Sequence, residues 1–561
     1  MSEDMLPAEE DKWLKFQLIC KPEQSGKTFV MIRHIIRDIT EPMQGKEIIN
    51  FILCDNNLLL TKQTSDRVDH DLKEYTLDGD SYVELSSHSR TDYHDTASVF
   101  QAILVDGARN IICCTNGKRM DDIYKLIKDI NTSQFTKGKF HFNVWLDEAD
   151  KFMKFIDTTL RPIVDNYSNV NCKLLTATPH ALFQKYKYMN VLPIENTTSE
   201  LYHGWSDYLR CKSEECSVTD CEYADAPHSH YTNNINVFEK EGSYLDFIEH
   251  ILTNVASDKI NPGTKWFIPG LNIKKSHELI KSLCIEKGMA VLCVNGDGMI
   301  LTIPGTLERI TYKKDDVFNS KLIDIYIKHK LERFAFVITG YICIGRGITI
   351  MSDNFMIDYA ILSHYSSKNE ASQLAGRMKG NIKGFKTYNE KKLPMIFTTE
   401  KFNKIAIEWE NKSKKLAKLA FEKEQNGMIA VIDKHEFKTC DKPFDYICDK
   451  NLFNSFEEAK LFLFTKEREM DCKVKTTKNS VIHERDGYCV TSKLLQANKT
   501  VADLTKDDRI TMEKARTIPP SRCISSTDKG SRYLILPVYE NEMSPPKSVK
   551  YQVRYIKFKY E

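Results

Sequence analysis

The sequence predicts an α/β protein with two doubly wound parallel sheets in tandem, followed by a C-terminal α+β accessory domain. Short apolar segments alternate with segments of helical periodicity in two separate parts of the chain, which is typical of parallel sheets covered by helices on both faces. The 561 residues are enough for about three or four domains. Hydrophobic residues make up 41% and charged residues 28%, as in soluble globular domains with real cores.

The first alternating region begins with a strand and a helix. "WLKFQLIC" is predicted to be a buried strand, and "TFVMIRHIIRDI" a helix whose apolar positions recur at helical spacing. Those positions are Phe29, Ile32, Ile35, Ile36 and Ile39. Further strands are predicted at 48–56, 110–117, 142–150 and 171–179. We assign residues 1–195 to this first domain.

The rest of the chain divides into four parts. Residues 196–245 are polar and rich in cysteine, and we interpret them as a linker or a small inserted lobe. Residues 246–400 repeat the alternation of strands and helices and form the second α/β domain. Residues 401–430 are predicted to be a basic helix, and 431–561 an accessory domain of unknown role. The apolar positions of the basic helix are Ile405, Trp409, Leu416 and Leu419.

The charge balance and the N-terminus exclude several classes of protein. The net charge of +2, from 80 basic and 78 acidic residues, argues against a uniformly basic surface but allows a basic groove. The acidic start "MSEDMLPAEEDKW" is not a secretory signal, and no stretch approaches 18 apolar residues, so we expect no membrane span. The 16 scattered cysteines indicate a reducing intracellular compartment, either cytoplasm or nucleus.

The stretch "KPEQSGKT" (21–28) ends like a phosphate-binding loop and lies between the first strand and the first helix. In such a loop, backbone N–H groups converge on the β-phosphate, a lysine contacts the β- and γ-phosphates, and a hydroxyl binds Mg²⁺. Lys27 and Thr28 have the residue types for the last two roles. The expected nucleotide-binding residues are Glu23, Gln24, Ser25, Gly26, Lys27 and Thr28. On its own, the stretch leaves an ordinary helix N-terminus open as the alternative.

The segment "WLDEAD" (145–150) favours the nucleotide interpretation. It places acids at the end of a buried strand, and in open α/β folds ligands bind at that edge of the sheet. Asp147 would hold Mg²⁺, and Glu148 would orient and deprotonate the attacking water. An acidic helix N-terminus is the alternative, but it does not explain why apolar strand residues lead directly into the acids.

Five segments in order resemble motifs of superfamily 2 helicases. "DEAD" (147–150) and "TATP" (176–179) resemble motifs II and III, and "KWFIPGLN" resembles the neighbourhood of motif IV. "ITGYICIGRGIT" (338–349) resembles motif V, and "QLAGRMKG" (373–380) resembles motif VI. The resemblance covers roughly residues 12–400, and its overall character is similar to helicase-like proteins of large DNA viruses and phages. If the protein is viral, the virion or the host cell is a further location.

The resemblance implies two RecA-like domains with ATP and Mg²⁺ in the cleft between them. The first domain would supply Lys27, Thr28, Asp147 and Glu148, with Thr28 and Asp147 holding the metal. The second domain would supply catalytic side chains to the γ-phosphate, where an arginine can contribute about 10³–10⁵ in rate. These are Gln373 and Arg377. The residues that would couple the nucleotide to the cleft are Thr176, Thr178, Gly345, Arg346 and Gly347.

The same resemblance implies a groove that holds DNA or RNA through its backbone. The segments 53–67, 114–119 and 345–349 would line it. Protein partners would bind through the C-terminal region. The function that follows is an ATP-dependent helicase or translocase. The alternative is a catalytically weakened, helicase-like nucleic-acid-binding or scaffold protein in a larger replication or transcription complex.

The chain departs from the family pattern in two places. Family loops usually read A-x-x-G-x-G-K-T, whereas Gln24 stands at the first glycine, and its Cβ limits the conformations of the loop. Motif VI usually carries a second arginine where this chain has Gly380. The remaining candidates for a catalytic cation are Arg377, Lys379 and Arg346, and we favour Arg377.

Two weaker signals lie between the two α/β regions. Cys211, Cys216, Cys221 and His228 would satisfy a zinc ion, but their Cys-x₄-Cys-x₄-Cys spacing differs from that of known fingers and ribbons, so we favour a reduced, loop-rich insertion. The aromatic residues Trp205, Tyr208 and Tyr223 would either stack on bases or pack against a neighbouring domain. We favour burial.

Overall fold

The structure is a computed structural model of the chain. The residues that it describes are 15–41, 45–56, 58–75, 82–85, 95–210, 218–220, 244–271, 273–306, 309–312, 318–341, 350–363, 365, 367–389, 393–439, 444–470, 472–474, 482–485, 488–491, 505, 508–518, 524 and 532–558.

Strands and helices alternate over most of the described residues. The strands are β1 (Phe16–Cys20), β2 (Glu47–Cys54), β3 (Val83–Glu84), β4 (Asn110–Cys114), β5 (Phe140–Leu146), β6 (Val170–Thr176), β7 (Tyr188–Val191), β8 (Val218–Asp220), β9 (Lys265–Phe267), β10 (Ala290–Asn295), β11 (Gly298–Thr302), β12 (Arg309–Tyr312), β13 (Phe336–Gly340), β14 (Tyr359–Leu362), β15 (Met395–Thr398), β16 (Val431–Asp433), β17 (Phe444–Phe453), β18 (Ile482–Arg485), β19 (Tyr488–Thr491), β20 (Tyr533–Val538) and β21 (Lys550–Phe558).

The α-helices are α1 (Lys27–Thr40), α2 (Leu58–Leu72), α3 (Thr96–Leu104), α4 (Gly117–Thr132), α5 (Met153–Phe155), α6 (Arg161–Asn166), α7 (His180–Lys185), α8 (Trp205–Arg210), α9 (Tyr244–His250), α10 (Lys274–Glu286), α11 (Phe318–Lys328), α12 (Lys368–Ala375), α13 (Glu400–Gln425), α14 (Lys434–Thr439), α15 (Phe456–Thr465), α16 (Glu467–Met470) and α17 (Met512–Thr517). Single π-helical turns span Ile156–Leu160 and Ile251–Val255, and 3₁₀ turns span Ser257–Lys259, Leu331–Arg333, Gly376–Met378, Ile382–Gly384 and Pro546–Ser548. Among the described helices, none combines the length and the apolar character needed to cross a bilayer.

The chain divides into two compact units. The large unit comprises residues 19–180 and 197–414, and the small unit comprises residues 1–18, 181–196 and 415–561. The large unit contains both predicted α/β sheets. The domain boundaries expected from the sequence remain predictions.

The first sheet of the large unit is parallel. Its strands lie in the order β6-β5-β2-β4-β3, and every neighbouring pair runs in the same direction. All seven residues of β5 are buried, as expected of a strand covered on both faces. The end of β1 joins this sheet beside β6, where the Lys21 N–H donates to the Thr176 carbonyl oxygen at 3.3 Å.

The second sheet of the large unit is mostly parallel, in the order β12-β11-β10-β13-β9-β14-β15-β8. Alternate residues of β13 enter two different cores. Phe336 and Ile338 pack with residues of α11 and α12, whereas Val337 packs with residues of α9 and α10. Helices therefore cover both faces, which confirms the doubly wound fold class. The sequence analysis did not predict the antiparallel extension β10-β11-β12.

The small unit contains an α+β region near the C-terminus. Strands β17, β21 and β20 form an antiparallel sheet, and β18 and β19 form a hairpin. Helices α15 and α16 bury Ala459, Leu463 and Met470 against one face of the three-stranded sheet. In the same unit, β7 pairs parallel with the beginning of β1 and antiparallel with β16.

The basic helix and the two described aromatic residues follow the sequence prediction. In α13, Ile405, Trp409 and Leu416 are buried. Trp205 and Tyr208 are also buried, and the Trp205 Nε1–H donates to Asn403 Oδ1 at 2.6 Å. Their burial is confirmed, and it excludes base stacking by these two rings. The third ring, Tyr223, lies outside the described ranges.

Gly340 tests the close packing of the second sheet. It has φ 142°, and a Cβ placed on it would lie 2.1 Å from the Val294 carbonyl oxygen. We expect Gly340→Ala to lower the free energy of unfolding by about 2–5 kcal/mol, because backbone strain and overpacking add. Gly288→Ala is the matched control, since Gly288 has φ 77° with open space around it, and should cost only about 1–2 kcal/mol. Urea denaturation followed by tryptophan fluorescence measures both, and equal losses would contradict the packing described.

Candidate nucleotide site

The loop between β1 and α1 is a tight turn that ends in a left-handed glycine. The Ser25 N–H and hydroxyl both donate to the Pro22 carbonyl oxygen, at 3.3 and 2.7 Å. Gly26 is the N-cap of α1, with φ 92°, and no side chain caps the helix. The first N–H groups of α1 are therefore left for a ligand rather than for a capping side chain.

Gln24 shows how the loop accommodates a residue where related loops have glycine. It adopts φ 53°, in the left-handed region, which costs a residue with a Cβ about 1–2 kcal/mol. Glu148, in the acidic segment, has a similar φ of 50°. The expected restriction at position 24 thus takes the form of local backbone strain, and both strained residues line the same cavity.

The acidic segment continues the hydrogen bonding of the first sheet. The Asp147 N–H donates to the Leu53 carbonyl oxygen at 2.9 Å, and the Ala149 N–H donates to Leu175 O at 3.0 Å. These bonds hold Asp147 and Glu148 at the carboxyl edge of the sheet. Burial and the neighbouring Glu148 carboxylate raise the pKa of Asp147 above its usual range, while Lys27 opposes this shift. Lys27, Asp147 and Glu148 line the same cavity.

Asp150 anchors the threonines of the "TATP" segment. The Thr176 hydroxyl donates to Asp150 Oδ1 at 2.8 Å, and the Thr178 hydroxyl donates to Oδ2 at 3.0 Å. All three residues are buried. The sequence analysis assigned no role to Asp150, although it is the last letter of "DEAD". A buried carboxylate with two hydroxyl donors ties the acidic segment to the threonines, so a shift of one moves the other.

The arginine segment (residues 373–380) runs from α12 through a 3₁₀ turn. Arg377 and Gln373 are both about 2% exposed, and Arg377 Nε donates to the Gln373 carbonyl oxygen at 3.3 Å. The Tyr208 hydroxyl donates to Met378 O at 2.5 Å, and the His203 N–H donates to Gly380 O at 2.7 Å. The segment is therefore fixed by α8 and by the residues just before it.

One cavity of about 370 Å³ in the large unit brings the two sheets' residues together. From the first sheet it is lined by Glu23, Gln24, Gly26, Lys27, Thr28, Phe29, Ile32, Arg67, Asp71, Asp147 and Glu148. From the second sheet it is lined by Gln373, Arg377, Asn381, Ile382 and Phe385. Among the described residues, the amide nitrogens of Gln24 and Gln373 are buried without a hydrogen-bond partner, as expected where a polar ligand binds.

The structure explains why the second arginine of the arginine segment is absent. Gly380 has φ 136°, and a Cβ placed there would lie 2.9 Å from Gln24 Cβ. No side chain fits at this position while the loop and the segment remain in contact. Ser25 is also buried, with its hydroxyl donating to the Pro22 carbonyl oxygen within the turn.

Lys379 does not replace that arginine either. Its side chain is fully buried, with Nζ 2.7 Å from Glu23 Oε2 and 3.4 Å from Glu410 Oε2. Burial lowers the pKa of Lys379, but the two carboxylates raise it by more, so the lysine stays charged. Arg346, the other alternative, lies outside the described residues. Within the described part of the chain, Arg377 is the candidate that remains from the second sheet.

Sequence reasoning missed two features of the cavity wall. Phe29, one of the apolar positions at helical spacing, is 60% exposed and lines the cavity. The buried residues of α1 are Met31, Ile32 and Ile35. Arg67 supplies a second guanidinium to the cavity from α2. No sequence signal singles out Arg67, because its position depends on the packing of α2.

Part of the expected groove is engaged in local structure. The Thr115 hydroxyl donates to the Cys54 carbonyl oxygen at 2.7 Å, and the Asn116 side chain caps α4. Arg119 forms a partly buried ion pair with Asp122 at 2.8 Å. Several candidates lie outside the described residues and stay predictions: Gly345, Arg346, Gly347, Cys211, Cys216, Cys221 and His228.

The residues present fit a magnesium–triphosphate ligand. Mg²⁺ in such sites takes one or two carboxylates, a hydroxyl and the phosphates themselves. Thr28 and Asp147 line the cavity and have these donor types, and the unpartnered amides fit phosphate oxygens. Within the described ranges, no group of three or more His, Cys, Asp or Glu side chains is placed to hold a metal by itself. A metal at this site would therefore depend on the substrate for part of its coordination.

Two helicases are among the structural neighbours that comparison with known proteins gives. No family model and no curated protein sequence matches the chain. The structure of Mycobacterium smegmatis helicase Lhr bound to ssDNA and AMP-PNP is similar at 11% identity and a TM-score of 0.34, over 76% of this chain and 46% of Lhr. The structure of the DEAD-box helicase Mss116 bound to ssRNA and UDP-BeF is similar at 12% identity and a TM-score of 0.36, over 71% of this chain and 73% of Mss116.

The chain thus spans less than half of the length of Lhr. Neither neighbour bears on the expected similarity to viral and phage proteins, which stays a prediction.

Thr178 tests the anchor at Asp150. We expect Thr178→Val to lower the free energy of unfolding of the large unit by about 1.5–3 kcal/mol, because it removes a hydrogen bond to a buried carboxylate. Thr132→Val is the control, since the exposed Thr132 hydroxyl bonds only to backbone oxygens of its own helix, and it should change stability by less than about 0.5 kcal/mol. Denaturant titration measures the free energy of unfolding of both variants. If Thr178→Val leaves this free energy unchanged, the hydrogen bonds to Asp150 do not stabilise the fold.

Proposed function

We propose that the protein is an ATP-dependent helicase or translocase that couples ATP hydrolysis to movement along DNA or RNA. The observation that supports the proposal most is the composition of the single cavity described above. A lysine and a hydroxyl at a helix N-terminus, two acids at a sheet edge and an arginine from a second sheet line the same space. Each residue type matches one requirement of phosphoryl transfer.

The binding roles follow from charge and residue type. Lys27 binds the β- and γ-phosphates as a point charge, and the N–H groups that begin α1 receive the β-phosphate. Thr28 and Asp147 hold the metal. Bound Mg²⁺ supplies a Lewis acid that neutralises phosphate charge. The apolar residues Ile32, Ile382 and Phe385 also line the cavity.

The chemical roles fall to Glu148, Gln373 and Arg377. Glu148 accepts a proton at a carboxylate oxygen from the attacking water, whose oxygen forms a bond to the γ-phosphorus. The bond between the γ-phosphorus and the bridging oxygen breaks, and ADP leaves with the electron pair. Arg377 stabilises the negative charge on the transferring group, and Gln373 donates from its unpartnered amide nitrogen.

The proposed coupling to nucleic acid runs through Asp150. Glu148 and Asp150 lie in one short segment, and Asp150 bonds the Thr176 and Thr178 hydroxyls. Any shift of Glu148 during the cycle is therefore transmitted to the threonine segment. Whether the groove holds DNA or RNA is left open, because it is proposed to contact the backbone. We also propose that the C-terminal region of the small unit binds a protein partner.

A second candidate function is a weakened, helicase-like scaffold that binds nucleic acid. Two observations favour it: the strain at Gln24 and the packing that excludes a second arginine at Gly380. The two functions differ in one measurement. The scaffold predicts nucleic-acid binding without ATP turnover, whereas the motor predicts turnover that a polynucleotide stimulates.

Lys27 and Glu148 test the hydrolytic site. We expect Lys27→Ala to abolish ATP binding and turnover, because it removes the charge that holds the phosphates. Glu148→Gln should keep nucleotide binding but reduce kcat by about 10²-fold or more, since the amide cannot accept the proton. Lys128→Ala, on the exposed face of α4, is the control. Turnover is measured with single-stranded DNA, duplex DNA and RNA in turn. A rate that none of the three polymers changes would contradict the motor.

Arg377 tests the contribution of the second sheet. We expect Arg377→Ala to lower kcat by about 10³–10⁵-fold with a smaller change in KM, because the charge that it stabilises is largest in the transition state. Arg333→Ala, an exposed arginine of the same sheet domain, should leave both constants unchanged. If Arg377→Ala raises KM and leaves kcat unchanged, Arg377 contributes only to binding of the ground state, which would contradict the prediction.

A further inference from the structure

We propose that Lys379 is a positioning residue that joins the phosphate loop to the arginine segment before nucleotide binds. This inference rests on the proposed function for its purpose but not for its geometry. Lys379 bonds to Glu23, which lies in the loop between β1 and α1, and lies 3.4 Å from Glu410 of α13. A single ammonium group thereby connects the nucleotide-binding loop of the first sheet with two elements of the second.

The three charged groups form a closed buried cluster. The side chain of Lys379 and that of Glu410 are fully inaccessible, and that of Glu23 is 3% exposed. Glu23 Oε1 accepts a further hydrogen bond from the Ser372 hydroxyl. Glu410 accepts from the Trp205 N–H at 2.8 Å and from Lys414 Nζ at 2.7 Å. Both carboxylates thus accept their hydrogen bonds from groups of the second sheet's domain, and neither is needed to bind a ligand.

The backbone around Lys379 is shaped to allow this connection. A Cβ placed on Gly376 would lie 2.6 Å from Glu23 Cβ, and one placed on Gly380 would lie 2.9 Å from Gln24 Cβ. The arginine segment therefore approaches the loop closely on both sides of Lys379. Gly376 has ordinary helical torsions, so its backbone conformation does not require glycine. Glycine is required there because Glu23 lies too close to leave room for a side chain.

The ion pair resists separation of the loop from the arginine segment. Separating Glu23 from Lys379 without water entry leaves a buried charge unpaired, which is strongly unfavourable. Arg377 lies two residues before Lys379, so the same tie holds its guanidinium at the cavity wall. A site that is already assembled binds ATP without first closing the cleft. If only a fraction of the molecules has the site assembled, the apparent affinity for ATP falls by that fraction.

The proposal predicts that the two sheets' domains keep a fixed distance without nucleotide. Fluorophores are attached, through an introduced non-natural residue, at two exposed positions, Val105 at the end of α3 and Ile327 in α11. Single-molecule energy transfer then reports the distance distribution. In the full-length protein, we expect a single narrow distribution that AMP-PNP leaves unchanged. A broad nucleotide-free distribution that AMP-PNP narrows would overturn the proposal.

The variant that breaks the tie is the double substitution Lys379→Met and Glu23→Gln. It removes both members of the pair, so no unpaired charge is buried, and Glu410 keeps its bonds to Trp205 and Lys414. Its nucleotide-free distribution should become broad. Lys414→Met is the matched control, because it makes the same change at the other end of the cluster without touching Glu23, and its distribution should stay narrow. A double variant that remains as narrow as the parent contradicts the proposal.

Steady-state kinetics of ATP hydrolysis distinguishes a positioning role of Lys379 from a purely structural one. For the double variant, we expect the KM for ATP to rise by about tenfold or more while kcat changes less, because saturating ATP reassembles the site. A fall in kcat with an unchanged KM would contradict positioning. Should the parent hydrolyse no ATP, the proposed function fails, but the nucleotide-free distances still decide whether Lys379 ties the loop to the arginine segment.

Discussion

The contact between the phosphate loop and the arginine segment is the constraint on which the candidate site depends. Two glycines, Gly376 and Gly380, allow the backbones to approach, and the buried pair of Glu23 and Lys379 holds them together. The cavity exists because these two segments, far apart in sequence, end at the same place. The strained φ of Gln24 is tolerated where this packing surrounds it.

The rest of the large unit supplies rigid supports for that contact. Strands buried on both faces deliver the acids and the threonine segment to a sheet edge, and the bonds from Asp150 lock the two together. On the other side, Tyr208 of α8 and His203, just before α8, hold the arginine segment by hydrogen bonds. Polar residues that act on a ligand are thus carried by elements whose own positions are set by apolar burial.

The sequence predicts much of the fold and part of the site, for different physical reasons. Alternating apolar strands and helices predicted the two sheets, because period and burial are local properties. The loop at 21–28 and the acids at 147–150 were found from residue types at fixed spacing. The roles of Lys379 and Arg67 could not be found in this way. They depend on which distant groups tertiary packing brings close: Glu23 beside Lys379, and Asp147 in the same cavity as Arg67.

The central claim is that one triphosphate is held by Lys27 from the first sheet and by Arg377 from the second. The most direct measurement is an experimental structure of the protein with AMP-PNP and Mg²⁺. We expect the γ-phosphate oxygens to lie within hydrogen-bond distance of both Lys27 Nζ and the Arg377 guanidinium. A nucleotide bound elsewhere, or one that meets Lys27 while Arg377 faces away from it, would contradict the claim.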